Sequence, residues 1–164
     1  MLLTGYLSNA QAYFNDGQQE IKLNFGLFLA NSTIEGSYEY YLSDDTSFGG
    51  TLYFDNDATD YNGNFGIGAN FRAYFGYDPK SGGFGEAFGL YYSGEVISTD
   101  VNTRTTFSND YNNFAIGLGA GYKWVTNSQK ITVEINGGFG RNVKDDPLIN
   151  NFIVKAGLSV GYRF

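Results

Sequence analysis

The sequence predicts an all-β protein: an eight-stranded antiparallel transmembrane β-barrel of up-and-down topology. Three observations lead there. Apolar side chains recur at every second position over about eight segments, which is the period of a strand. No apolar run approaches the roughly 18 residues a membrane helix needs. The composition is skewed, with 23 glycines in 164 residues, about twice the usual share, and only 16% charged residues against 18% aromatic ones.

Taken in order, residues 1–12 read either as the remnant of a signal peptide, with Ala10-Gln11-Ala12 in the small-x-small form of a cleavage site, or as a flexible extension. Residues 13–19 then form an N-terminal extension, and 20–164 the barrel. Strands are expected near 20–29 (Ile21, Leu23, Phe25, Leu27, Leu29), 33–42 (Ile34, Tyr38, Tyr40, Leu42) and 47–55 (Phe48, Leu52, Phe54). The run 64–75 is the clearest, with Phe65, Ile67, Ala69, Phe71, Ala73 and Phe75 on one face and Asn64, Gly66, Gly68, Asn70, Arg72 and Tyr74 on the other. Further strands fall near 84–96 (Phe88, Leu90, Tyr92), 113–125, 130–140 and 152–164. Most are close to the 9–11 residues a tilted strand needs to cross a bilayer. Pro79 and Pro147 lie between strands, where their missing N–H breaks no ladder.

Connections at 31–33, 43–46 and 126–129 are tight, whereas 55–63, 96–112 and 141–151 are longer and polar. With both termini on one side, the longer ones fall on the far side, as in outer-membrane barrels, and 31–33 is the short exception. An eight-stranded barrel is only just wide enough for packed side chains. The Phe, Tyr, Leu and Ile of the apolar face cannot all fit inside, so that face meets lipid. The opposite face carries Gly, Ser, Thr and Asn with Glu20, Lys22, Glu35, Glu39, Arg72, Lys123, Glu134, Lys155 and Arg163, a set suited to a narrow lumen filled by paired charges. Only Glu86 falls outward by parity. Tyr40, Phe75, Trp124, Tyr162 and Phe164 share one end of alternate strands and are expected to form an interfacial aromatic ring.

The last strand ends in Gly161-Tyr162-Arg163-Phe164 and resembles the C-terminal signal by which bacterial outer-membrane proteins reach the barrel-assembly machinery, with Tyr162 and Phe164 as its aromatics. Glu20-Ile21-Lys22-Leu23-Asn24, Ser37-Tyr38-Glu39, Gly121-Tyr122-Lys123-Trp124 and that ending are together similar to a family of small outer-membrane barrels from Bacteroidota. The resemblance implies a fold and an outer-membrane location, and no activity.

Function is bounded mainly by exclusion. The chain contains neither Cys nor His, which removes Ser-His and Cys-His nucleophile pairs and the usual zinc sets. The net charge of -7, with scattered Lys and Arg, excludes a nucleic-acid partner. Glu35 and Glu39 share a face but lie about 13 Å apart along a strand, too far for a glycosidase pair. No catalytic residue and no cofactor is assigned. Asp55, Asp57 and Asp60 offer oxygen ligands for a hard cation, but the EF-hand pattern is missing and a solvated acidic loop is the expectation. The expected role is structural or interactive, for a monomer whose far-side surface contacts outer-membrane lipid, lipopolysaccharide or an unidentified protein partner. The alternatives are a small channel, a soluble lipocalin-like ligand-binding barrel, and a lipid-acting barrel enzyme.

Overall fold

The computed structural model describes residues 17–56, 63–100, 105–144 and 150–164, with side chains described outside 96–107. Eight strands follow one another around a closed barrel: β1 (Gln19–Asn24), β2 (Ile34–Tyr41), β3 (Thr46–Phe54), β4 (Phe65–Tyr74), β5 (Gly82–Asp100), β6 (Thr105–Val125), β7 (Ile131–Asn142) and β8 (Phe152–Arg163). Every neighbouring pair is antiparallel, and β8 closes on β1 through Ile21 opposite Tyr162 and Leu23 opposite Val160. The topology is thus up-and-down throughout. Alternation places Glu20, Lys22, Glu39, Arg72, Lys123 and Glu134 inside and leaves Ile21, Phe71, Ile116, Trp124, Ile135 and Leu158 exposed on the outer wall.

Three sequence expectations are corrected. The first strand does not run through 20–29: it stops at Asn24, and Phe25–Asn31 form a helix, α1. Phe25, Leu27 and Leu29 alternate like a strand, but Phe25, Phe28 and Leu29 also stand at i, i+3 and i+4, and these are the exposed large apolar residues of α1, while Leu27 is buried. The deciding signal is Asn24, whose side chain accepts the Leu27 N–H at 3.1 Å as an N-cap. Ser32, in the left-handed conformation at φ 60°, returns its N–H to Phe28 at the other end. The first far-side connection is consequently not a short one.

Second, β5 has the opposite facing from that expected. Phe84, Glu86, Phe88, Leu90 and Tyr92 are buried, and Gly85, Ala87 and Gly89 face out. Inward glycines of β6 and β7 make this fit. A Cβ at Gly117 would come within 2.5 Å of the Phe88 ring, one at Gly138 within 3.0 Å, and one at Gly121 within 2.5 Å of Phe84. Glycine across two strands therefore makes room for aromatics from a third.

Third, residues 96–100 and 105–112, expected within a loop, belong to strands. β5 and β6 stay paired as far as Asp100 opposite Thr105, whereas β4 pairs β5 only to Ser93 and β7 pairs β6 only to Ala115. The two strands therefore project beyond the rest of the wall on the far side. Near the N-terminus, the Gln18 carbonyl accepts the Tyr41 N–H at 2.9 Å; the segment 1–12 and most of 13–19 lie outside the described residues.

Candidate functional site

The lumen is where the chemistry-bearing side chains converge, and they fill it in layers. In the near half, three carboxylates from three strands, Glu20, Glu39 and Glu134, bring oxygens to within 4.8 Å of one another. Such a group is unfavourable unless cations stand between its members. Lys22 does so at 2.7 Å from Glu39 and 3.1 Å from Glu134, and Arg72 at 3.2 and 2.8 Å from the same pair. Lys123 is the centre. Its ammonium, fully buried, donates to Glu39 at 2.8 Å and to the hydroxyls of Tyr41 and Tyr74 at 2.8 and 2.9 Å, and lies 3.3 Å from Glu20.

The remaining lone pairs are also met. Tyr41 donates to Glu20 at 2.5 Å, Ser47 to Glu39 at 2.5 Å, Thr132 to Glu20 at 2.8 Å and Asn136 to Glu134 at 2.8 Å; Tyr74 donates to Glu39. The acidic triad thus has protein ammonium and guanidinium groups where a metal ion would otherwise sit. Below it, Arg163 reaches from the last strand to Glu20 at 3.3 Å and to the Lys80 carbonyl at 2.9 Å. The Lys80 N–H in turn bonds the Asp44 carbonyl at 2.8 Å, so the β4–β5 turn is drawn to the β2–β3 turn across the near end.

Above the triad, Glu86 joins Arg72 at 2.9 Å to Lys155 at 2.7 Å and accepts from Asn70 at 3.0 Å. The expected outward place of Glu86 is therefore corrected, and among the described residues the layers around the triad hold five carboxylates (Glu20, Glu35, Glu39, Glu86, Glu134) against five cations (Lys22, Arg72, Lys123, Lys155, Arg163), with Asp55 buried as a further carboxylate at the far end of β3. Glu35 is buried and accepts from Asn24 at 2.9 Å. The cavity beside Glu35, Tyr53, Asn70 and Lys155 measures about 20 Å³, room for one water. The far half is closed by Tyr53, Phe88, Leu90, Tyr92, Tyr111, Ala115 and Ile153, packed as one apolar cluster.

All nine charges expected in the lumen, Glu20, Lys22, Glu35, Glu39, Arg72, Lys123, Glu134, Lys155 and Arg163, do point inward, and all but Glu35 enter the ion-pair network. Sequence reasoning missed Tyr41 and Tyr74 as members, although Tyr41 shares the parity of Glu39 and Tyr74 that of Arg72. It also missed Glu86 and Asn24. Tyr40, Phe75, Trp124, Tyr162 and Phe164 are exposed at the near end of the outer wall, where Tyr122 and Trp124 lie 4.7 Å apart and Tyr162 stacks with Phe164 at 6.4 Å. Asp55 is buried and accepts the Thr33 hydroxyl; Asp57 and Asp60 lie outside the described residues.

The solved structures include a similar fold: the crystal structure of the N-terminal β-barrel domain of OprF from Pseudomonas aeruginosa, 17% identical, superposes with a TM-score of 0.55 over 91% of this chain and 99% of that one. No protein-family model and no curated protein matches the chain.

Proposed function

We propose that this protein is an integral β-barrel of the bacterial outer membrane, monomeric, with a lumen plugged by its own side chains and a structural or interactive rather than catalytic role. One observation carries the reading: the barrel is inverted relative to a water-soluble one. Its lumen charges are buried in a paired network while Leu118, Ile116, Val154, Phe139 and Leu158 stand exposed on an outer wall that none of the described residues covers. In water an apolar surface of this extent is unfavourable; in a bilayer it is the required solvent contact. A lipocalin-like reading would need an interior cavity for a ligand, and the packed ion-pair and aromatic layers occupy that space.

Two features of the near end add support. Tyr and Trp prefer the membrane–water boundary, and Tyr38, Tyr40, Tyr122, Trp124 and Tyr162 are outward there. The ending Tyr162-Arg163-Phe164 resembles an assembly signal and would be read by the barrel-assembly machinery. The same segments underlie the similarity to small barrels of Bacteroidota. The far side, with its projecting β5–β6 strands, would be the surface offered to lipopolysaccharide or a protein partner.

The test is reconstitution. The purified chain should need detergent to stay monodisperse, should insert into phosphatidylcholine vesicles with the heat-modifiable electrophoretic migration of a closed barrel, and should pass no steady current in a planar bilayer. A monodisperse protein in plain buffer would sink the membrane assignment. Long-lived openings would replace the plugged barrel with a channel.

A further inference from the structure

Below the β5–β6 projection, Arg141 is the one charged side chain that the described barrel strands turn outward. It is the penultimate residue of β7, exposed, with Ile116 of β6 and Phe152 of β8 opposite it. Phe139 and Val143 flank it along the chain, and both are exposed; Phe139 stacks on Phe152 at 5.1 Å. The ion pairs among the described residues use Lys22, Arg72, Lys123, Lys155 and Arg163 and leave Arg141 out. A guanidinium with no ion pair among the described residues, set in an apolar collar, is costly inside a bilayer and nearly neutral at its edge, and a bidentate anion would turn it into a favourable contact.

Beside Arg141 the wall is recessed. A groove of about 690 Å³ has Ala69 and Ala87 as its floor, Phe48 and Phe71 on one side and Ile116 and Leu118 on the other, with Arg141 at its edge. The recess follows from the facing of β5: because Phe88 and Leu90 turn inward, the outward positions around them are Gly85, Ala87 and Gly89. We propose that the groove holds an acyl chain of a phosphorylated lipid whose phosphate is bound by Arg141. The charge complements a phosphate, the apolar trough complements a chain, and a lipid headgroup is the source that supplies both at once. The inference rests on the membrane reading above and gives its lipid contact a specific site.

The experiment uses the full chain refolded in detergent micelles, titrated with dimyristoyl phosphatidic acid or with dimyristoylglycerol, which has the same chains and no phosphate, and read by native mass spectrometry. The phosphorylated lipid should be retained about tenfold more strongly, the worth of one charge-assisted hydrogen bond. Arg141→Gln should remove that preference, Arg141→Lys should keep part of it, and Ala87→Trp, which fills the trough, should weaken both lipids. An excess of inorganic phosphate should displace neither. An unchanged preference in Arg141→Gln, indifference to Ala87→Trp, or displacement by inorganic phosphate would each overturn the lipid site. A chain that needs no micelle would instead overturn the membrane reading, so the two failures are separable. Heat-modifiable migration of each variant verifies that the barrel has closed.

Discussion

Replacing Lys123 by Met tests whether the interior is held by its charges. Met keeps much of the stem and removes the ammonium, which has no solvent exposure and donates to Glu39, Tyr41 and Tyr74 within 2.9 Å. Lys22, Arg72 and Arg163 would then face Glu20, Glu39 and Glu134 with Arg72 already shared with Glu86. Breaking a buried pair by removing one partner typically costs about 3–5 kcal/mol. The loss here belongs near the upper end, because the hydroxyl oxygens of Tyr41 and Tyr74 also lose the N–H donor they accept from. Adding Glu20→Gln restores the net charge, since Glu20 is 3.3 Å from both Lys123 and Arg163. The double variant should therefore recover part of the loss, with a coupling of about 1–3 kcal/mol. Equilibrium urea unfolding from vesicles, followed by Trp124 fluorescence, measures all four corners of the cycle. A loss under ~1 kcal/mol for Lys123→Met, or strict additivity with Glu20→Gln, would refute the claim that the cluster acts as a charge-balanced unit.

The facing of the wall predicts that Ile116→Arg and Leu158→Arg, both exposed outward, each reduce insertion by up to about 2–4 kcal/mol, according to depth, while Ser159→Thr inside stays mild; equal tolerance in a vesicle-folding assay would contradict it. Phe164→Ser should lower delivery to the outer membrane of cells, scored by fractionation, and leave refolding into detergent much less affected. Unchanged delivery would mean that the ending is not an assembly signal. A Cβ at Gly66 would overlap the Tyr53 ring, whereas one at Gly137 meets no atom closer than 3.9 Å. Gly66→Ala should thus destabilise by about 1–3 kcal/mol and Gly137→Ala little; the reverse order in urea unfolding would show that the Tyr53 contact is not tightly packed.

Strand number and, for most strands, facing could be read from alternation because on β4, β7 and β8 most inward positions are polar or glycine, Ile153 being an exception, while most outward ones are apolar. β5 breaks that contrast. Its Phe84, Phe88 and Leu90 go inside because the neighbouring strands offer glycine there, and a cross-strand vacancy has no trace within the strand that fills it. Glu86 carried the usable hint, since an outward carboxylate is unfavourable on an apolar wall and a strand has only two faces. Moving Glu86 inward moves Phe88 with it. The network's membership was readable as parity, but its closeness was not. Glu20 and Glu134 are 114 positions apart in the chain, and only the register of the closed barrel brings both to Lys123.

The end of β1 raises a problem that any closed barrel must solve. β1 pairs β8 only as far as Asn24 opposite Ser159, so the upper part of β8 loses its strand partner, and an open sheet edge is disfavoured in lipid. Asn24 bridges the change. Its carbonyl oxygen accepts both the Leu27 and Leu158 N–H groups, at 3.1 and 3.2 Å, and its amide donates to Glu35 at 2.9 Å and to the Ala156 carbonyl at 3.3 Å. One side chain therefore starts the helix, continues the ladder along β8 and ties both to the interior. The close seating of α1 on β8 depends on Gly26, where a Cβ would stand 3.0 Å from the Leu158 backbone nitrogen and side chain. The helix thus takes over the wall where the strand stops, and Asn24 with Gly26 is the sequence feature that permits a first strand of six residues in a barrel whose other strands have eight or more.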